Sequence, residues 1–467
     1  MSTVTFLGAT GSVTGSRFLV RNEEACVLID CGLFQERELR SRNWDDFPVP
    51  PREIDAVVLT HAHIDHCGYL PKLVREGFGG KIFCTPPTAE VARVALLDSA
   101  KLHEEDAAYK KRRHGKEQRE SPFPSVPLYT IQDAEAVMPH LETAPYAQPV
   151  EVSSGMTAVF RDAGHIIGSS IVELGIGRGQ RRNKLVFSGD LGRKNNPLLH
   201  NPEVIEGADY LFLESTYGDR NHESGAEAVG TLERVIVETA GKGGKVVIPT
   251  FAIERAQELL YFIKRLMENG KIPRLSGFID SPMAIDITKI YMAFPEYLDG
   301  KNLAGSRPGE SPFSFPLLQM TRSTEDSKAI NRHRGSAIIM AGSGMCTGGR
   351  IKHHLVQNIA CPESTILFVG YQARGTLGRI ILERPGEVRI LGAQHPVRAR
   401  IEQINGFSAH AGRDELLDWV SGFTTRPKKL FVVHGEEQSS QALAATVRER
   451  FGWDTAVPEY LETYSLC

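Results

Sequence analysis

The sequence predicts an α/β protein in which a segment of alternating strands and helices is inserted into a β-rich domain. Three patterns predict it: short β-runs joined by glycine turns in the first part, a strand–helix alternation that begins near Tyr210, and a return of short strands after Pro385. Alternation of that kind implies a parallel, doubly wound sheet, whereas short runs bounded by turn residues read as hairpins and sandwiches. At 467 residues the chain is too long for one compact core, so two or three domains are expected. The boundaries are placed at 1–207 together with 386–467 for the β-rich domain, and at 208–385 for the insert.

In chain order, the first strands are expected at Thr3–Gly8, Ser16–Val20, Ala25–Ile29, Val57–Thr60 and Lys81–Cys84. After Pro86-Pro87 a long helical pattern runs from about Ala89 to Glu120 and turns strongly charged at its end. Strands resume at Ala158–Phe160, Ser170–Leu174 and Leu185–Ser188. The insert contributes Tyr210–Leu213, Lys245–Pro249, Leu275–Ile279, Ser336–Met340 and Thr365–Val369, with helical patterns such as Glu254–Glu268 between them. Two helices, Asp414–Trp419 and Ser439–Arg450, close the chain. There is no tandem repeat and no long linker.

Composition excludes several classes. Apolar residues make up 41% and charged residues 24%, as in an ordinary globular protein. No apolar stretch approaches the roughly 18 residues of a membrane span. The start, Met1 to Leu7, runs directly into a strand pattern with no basic n-region, so a cytoplasmic location is expected. Seven scattered cysteines contain no CxxC pair, which argues against both a disulfide framework and a cysteine zinc site. With a net charge of −3, a polyanion would be met by local basic patches rather than by a global field.

The octet HAHIDHCG, residues 61–68, follows the apolar run Ala56-Val57-Val58-Leu59 and offers His61, His63, Asp65 and His66. Four ligand-type side chains in six positions are costly in repulsion and desolvation unless a cation is bound. Extended backbone would turn His61 and His63 to one side, and the following turn would present Asp65 and His66 separately, so one motif can feed two metals. Further ligand types close apolar strands beside glycine: His165 in DAGHIIGS, Asp190 in FSGDLG and His434 in VVHGE. Singly, such histidines are more often hydrogen-bonded surface residues; the octet makes the metal reading the better one. Asp30, at the end of Cys26–Ile29, is expected beneath the same face, orienting a ligand histidine through its ring N–H.

Asp30, HAHIDH, His165 and Asp190, in this order and at strand ends, resemble the metallo-β-lactamase superfamily over almost the whole chain. Glu214 in LFLESTYGDR, His410 in GFSAHAG and His434 in VVHGE narrow the resemblance to the β-CASP nucleases. PTFAIERAQELL, DSPMA and GSGMCTGGR are similar to the RNA-acting branch, the bacterial and archaeal relatives of the pre-mRNA 3′-end cleavage subunit. Nothing before Met1-Ser2 resembles the KH extensions of the archaeal members, so the bacterial-type short form fits best.

The resemblance implies an αββα sandwich with an inserted α/β domain and an active site between the two. It also implies two Zn²⁺ per chain: His61, His63 and His165 on one, Asp65, His66 and His434 on the other, with Asp190 bridging. Metal-activated hydroxide would attack phosphorus without using the RNA 2′-hydroxyl, leaving 5′-phosphate and 3′-hydroxyl ends. His410 would protonate the leaving oxygen and Glu214 would orient it; Asp65 is counted with them as catalytic. The expected activity is that of an endonuclease, with 5′ exonuclease action left open, in RNA processing or degradation. Single-stranded RNA is the expected partner, no membrane is involved, and a homodimer is allowed.

GSGMCTGGR follows an apolar strand and precedes the helical RIKHHLVQNI, so its Ser343, Gly344, Gly348, Gly349 and Arg350, with Lys352 adding charge, are candidate RNA phosphate contacts. Two basic runs, Lys110 to His114 and Arg178 to Lys184, read first as a solvated helix end and a hairpin tip, and second as an RNA path. Aromatics are not interleaved with these runs, so they offer no base readout. Three rival functions stand beside the ribonuclease: a small-molecule metallo-hydrolase, which has no use for the insert, Glu214 or His410; a β-CASP DNA nuclease, whose members usually lack a histidine at the His434 position; and a non-catalytic RNA-processing subunit, which typically loses metal ligands that this chain keeps.

Overall fold

The computed structural model describes residues 2–117, 124–177, 183–300 and 311–466, and of 113–117 the backbone only. The chain forms two compact units, Met1–Asn221 with His410–Cys467, and His222–Ala409.

The first unit is a sandwich of two seven-stranded sheets. One sheet contains β1 (Ser2–Phe6), β2 (Phe18–Arg21), β3 (Cys26–Ile29), β4 (Ala56–Val58), β5 (Lys81–Cys84), β6 (Leu141–Thr143) and β22 (Thr463–Leu466), with β22 beside β1. The other contains β7 (Val150–Ser153), β8 (Met156–Asp162), β9 (Ser170–Ile176), β10 (Asn183–Phe187), β11 (Tyr210–Glu214), β20 (Lys429–Val433) and β21 (Thr455–Ala456), in the order β21-β20-β11-β10-β9-β8-β7. Alternate residues of each strand meet between the sheets, where Phe6, Phe18, Phe187, Phe212 and Phe431 form one buried aromatic cluster. Phe187 and Phe212 stack at 4.1 Å, and Phe6 lies 5.1 Å from Phe431 across the interface. The opposite faces of β10, β11 and β20 bury Val186, Leu211, Leu213 and Val432 against the helices Arg413–Ser421 and Glu437–Phe451. On the other side lie the helices Leu70–Arg75, Pro86–Glu117 and Ile131–Val137, completing an αββα arrangement. None of the described helices is long and apolar enough to cross a membrane.

The second unit holds a parallel sheet of β12 (Lys245–Pro249), β13 (Ser276–Asp280), β14 (Leu318–Met320), β15 (Ala337–Ala341), β16 (Thr365–Val369) and β19 (Arg400–Ile404), in the order β14-β13-β15-β12-β16-β19. A hairpin of β17 (Glu387–Ile390) and β18 (Ala393–Pro396) precedes its last strand.

Two strands join a different sheet from the one their sequence neighbourhood suggests. Tyr210–Glu214, which the alternation assigns to the insert, pairs in parallel with β10 and β20 and is buried throughout, so it belongs to the first unit. Arg400–Ile404, in the stretch where short strands return, pairs in parallel with β16 and belongs to the second. The units therefore divide at Asn221 and Ala409 rather than at 207 and 385. Strand pairing, a long-range property, decides where a domain ends, and local periodicity does not report it.

Candidate metal centre

Every ligand-type residue of the octet is delivered by the end of β4. The chain stays extended through His63 (φ −67°, ψ 149°) and then makes the one-turn helix Ile64–Cys67, which carries Asp65 and His66. Gly32 backs this turn: a Cβ there would come within 1.5 Å of the Asp65 carbonyl oxygen, so only glycine admits the close approach. His165 follows β8, Asp190 follows β10, His434 follows β20 and Asp30 follows β3. Asp30 and His434 themselves take positive φ, 57° and 51°, a conformation that turns a side chain sharply off the end of its strand.

These residues converge. Nε2 of His61 lies 3.1 Å from Nδ1 of His63, and Nε2 of His165 also lies 3.1 Å from that atom. Asp190 Oδ2 is 3.4 Å from His61 Nε2 and 3.5 Å from His165 Nε2. A second group forms beside the first: His66 Nε2 is 3.0 Å from His434 Nε2, which is 3.5 Å from Asp65 Oδ2. Asp190 turns its other oxygen, Oδ1, to this group, 3.3 Å from His66 Nε2. In each of the sets His61, His63, His165, Asp190 and Asp65, His66, His434, the candidate donor atoms lie within 4.8 Å of one another.

Such a donor set fits zinc. Two nitrogens on one tetrahedral zinc lie about 3.3 Å apart at ordinary bond lengths, close to the spacings seen between His61, His63 and His165. Metal ligands must be unprotonated. Burial holds His61 down at about 3 and His63 at about 4, and it drives His165 well below its ordinary value. Asp190 Oδ1 is buried and accepts no hydrogen bond among the described residues. Burial opposes the charge of Asp190, but His434, His66 and His61 hold its carboxyl far below the usual range. For His66, burial is outweighed by Asp190 and Asp30, which pull its pKa well up. A cation at this centre would relieve the crowding of basic nitrogens and supply the missing partner for the Asp190 oxygen.

Partners behind the ligands fix their tautomers. His66 Nδ1 donates to Asp30 Oδ2 at 2.7 Å, which leaves Nε2 as the atom that faces the donor set. Asp30 is itself held by Thr60, which donates its N–H and its hydroxyl, both at 2.8 Å. Thr60 Oγ1 also lies 3.1 Å from His61 Nδ1, and Thr216 Oγ1 lies 3.1 Å from His434 Nδ1. Sequence reading missed both threonines. The available signal is position alone: Thr60 precedes the octet and Thr216 lies just beyond Glu214.

His410 stands next to both donor sets. Its Nδ1 is 3.2 Å from Glu214 Oε1 and 3.9 Å from Asp190 Oδ2. Glu214 is fully buried at the end of β11 and accepts the N–H groups of Leu191 at 2.8 Å and Thr216 at 3.2 Å. His410 is aligned by a bridge to Gly192 and by the Ala411 N–H, which donates to the Leu191 carbonyl at 2.7 Å. Burial pulls the His410 pKa down, but Glu214 and Asp190 outweigh it and push it up to about 9. Cations at the donor sets would bring it back toward neutrality. Asp190, Glu214 and His434 form a third close carboxylate–imidazole group that sequence spacing does not suggest. The two N–H donors and His410 already occupy Glu214, which favours an orienting role over ligation.

In the second unit the glycine loop folds on itself. Gly348 N–H donates to Ser343 Oγ at 3.2 Å, and Gly349, with φ +74°, lies against Gly342 too closely for a Cβ. Among the described residues the N–H groups of Gly344, Met345 and Gly349 find no acceptor. Arg350 is committed internally: Nη1 donates to Asp280 Oδ1 at 2.7 Å and Nη2 to the Arg322 carbonyl at 2.6 Å. Asp280, from DSPMA, is buried and also binds Thr321, Ser327 and His354. Lys352 Nζ donates to the Thr347 carbonyl at 2.6 Å. Of the basic runs, Lys110 pairs with Asp106 at 3.8 Å. Arg178 to Arg182 lie outside the described residues, and Lys184 pairs with Glu173.

The fold and this centre define a metallo-hydrolase of the β-CASP type, and comparison with known proteins agrees. The chain matches the metallo-beta-lactamase superfamily over residues 12–220, the Beta-Casp domain over 256–381 and the Zn-dependent metallo-hydrolase RNA specificity domain over 394–458. This chain belongs to the β-CASP group of the metallo-β-lactamase superfamily. Ribonuclease TTHA0252 of Thermus thermophilus is 39% identical over 436 residues, covering 93% of this chain and 94% of that protein. Transcription termination factor FttA of Methanocaldococcus jannaschii is 33% identical over 473 residues, covering 98% of this chain and 71% of that protein. FttA of Pyrococcus horikoshii is 32% identical over 481 residues, with 99% and 71% covered. A solved structure of a protein of unknown function from Enterococcus faecalis shares the fold, with a TM-score of 0.55 at 14% identity over 100% of both chains.

Proposed function

We propose that this chain is a zinc-dependent ribonuclease that hydrolyses phosphodiester bonds of single-stranded RNA and leaves 5′-phosphate and 3′-hydroxyl ends. One observation carries the reading: His410, paired to Glu214 at 3.2 Å, stands beside two buried donor sets without belonging to either. A hydrolase that only binds a metal has no use for such an imidazole; one that expels an alkoxide does. RNA as substrate is supported by the ribonuclease name of the 39%-identical relative and by the RNA specificity domain matched over 394–458.

His61, His63 and His165 would hold one zinc, Asp65, His66 and His434 the other, and Asp190 would serve both through its separate oxygens. When bound, such a metal pair lowers the pKa of water to about 7 and offsets negative charge at the phosphate. Asp30 and Thr60 keep His66 in the tautomer whose Nε2 faces the centre. Glu214 takes the Nδ1 side of His410, so the transferable proton sits at Nε2, where a leaving 3′-oxygen would receive it. Hydrolysis by water consumes no 2′-hydroxyl, and this sets the product ends. The test is to map the ends of RNA cleaved by the zinc-loaded protein. Products with 2′,3′-cyclic phosphate would exclude this reading.

A further inference from the structure

The parallel sheet of the second unit carries a feature that the ribonuclease reading leaves unused. From β12 the chain moves two places to one side, to β13; from β15 it moves two places to the other side, to β16. With right-handed crossovers these connections leave on opposite faces of the sheet. They part at the carboxyl ends of β15 and β12, and in open parallel sheets such a switch point is where ligands are taken.

Two exposed aromatic rings stand on this edge. Phe251, just past β12, is 43% exposed, and Tyr371, just past β16, is 47% exposed. The Phe251 ring lies on the glycine loop that follows β15: a Cβ on Gly344 would come within 2.6 Å of it. Gln372, itself buried, donates its amide to the carbonyls of Gly344 and Tyr371, each at 3.1 Å. Gly378 N–H also donates to the Met345 carbonyl at 3.1 Å, so Phe251, the glycine loop and the Tyr371 loop are one connected surface. The Tyr371 hydroxyl makes no hydrogen bond among the described residues, and neighbouring Arg374 is exposed with no ion pair there. The N–H groups of Met345 and Gly349, acceptor-free among the described residues, and the Arg374 guanidinium lie on the loops that carry the two rings, and together they complement a ligand that is both anionic and aromatic.

We infer that Phe251 and Tyr371 form a base-stacking platform for single-stranded RNA, with Arg374 and the glycine-loop N–H groups on its phosphates; this rests on the ribonuclease reading. Stacking is indifferent to base identity, since every base has a π-face. The platform would grip the strand without reading its sequence.

The test measures, by stopped-flow, binding of a hexaribonucleotide carrying 2-aminopurine, and of a base-free ribose-phosphate chain of equal length, to the zinc-loaded protein. Phe251→Ala and Tyr371→Ala should each weaken the base-bearing RNA about 5- to 150-fold while shifting the base-free chain less than about twofold. Phe251→Trp and Tyr371→Phe keep a ring and should stay within about threefold of wild type on both. Arg374→Gln should instead weaken both ligands and lower the salt slope by about one contact. Alanine variants that bind base-bearing RNA like wild type, or that lose both ligands equally, overturn the platform. So does a change in sedimentation without a change in RNA affinity, which would mark these rings as a contact between copies. Wild-type protein that binds neither ligand contradicts the ribonuclease reading, and the platform falls with it.

Discussion

Asp190 divides its carboxylate between two groups of ligand atoms: Oδ2 lies 3.4 Å from His61 Nε2, and Oδ1 lies 3.3 Å from His66 Nε2. One side chain thereby links a site built from β4 and β8 to a site built from the following helical turn and β20. Asp190→Ala should remove metal from both sites together. Elemental analysis is expected to give close to two zincs per chain for the wild type and well under one for the variant, with cleavage lost in parallel. A variant that keeps one full zinc would assign the carboxylate to a single ion.

His410 and His434 should fail differently, because only His434 joins a donor set. His410→Ala is expected to keep its zinc and lose cleavage by about 10²–10⁴-fold, the range for an acid–base group. His434→Ala should lose zinc and recover part of its rate at high zinc. If the His410 variant is the one that loses metal, the roles are exchanged.

Asp30 reaches the centre directly through His66, at 2.7 Å, and indirectly through Thr60, which lies against His61. Asp30→Ala should lower zinc affinity about 10- to 100-fold, as loss of an orienting partner does elsewhere. Titration with a zinc chelator reads this directly. Asp30→Asn, which keeps the shape and can still accept from Nδ1–H, should fall between the two. Unchanged affinity in both variants would leave Asp30 a purely structural residue.

Asp280 makes a stability prediction for the second unit. Burial opposes its charge, but hydrogen bonds from His354, Ser327, Thr321 and Arg350 outweigh burial and hold its carboxyl below the usual range. A depressed folded-state value means that its stabilisation is present above the unfolded value of about 4 and is lost as pH falls below it. Asp280→Ala strands four donors and should cost about 3–5 kcal/mol. The gap in denaturation midpoint between variant and wild type should narrow as pH drops below about 4. A gap that stays constant with pH would mean the charge contributes nothing.

The candidate donors that converge were legible because each closes an apolar strand or sits in the octet, and both signals are local. Backbone geometry separates His61 and His63 from Asp65 and His66, but the placing of His165, His434 and Asp190 rests on family resemblance, since no spacing along the chain reports which oxygen of Asp190 faces which histidine. Thr60, Thr216 and the Asp280 network were not legible. Hydroxyls and lone carboxylates carry no periodic signal, and their partners lie tens to hundreds of residues away. Arg350 shows the same limit. A cation beside a glycine loop reads as a phosphate contact, yet the fold brings Asp280 within 2.7 Å of it. Phe251 and Tyr371 lie 120 positions apart, and only the sheet order puts them on one edge.

Hydrolysis of RNA at this centre should require both metal and His410. Zinc-loaded protein is incubated with matched, end-labelled single-stranded RNA and DNA, and the product ends are mapped. RNA fragments with 5′-phosphate and 3′-hydroxyl ends, much slower cleavage of DNA, and loss of both activities on chelation are expected. Turnover of a lactam or thioester with intact RNA, or equal rates on RNA and DNA, would contradict the ribonuclease reading.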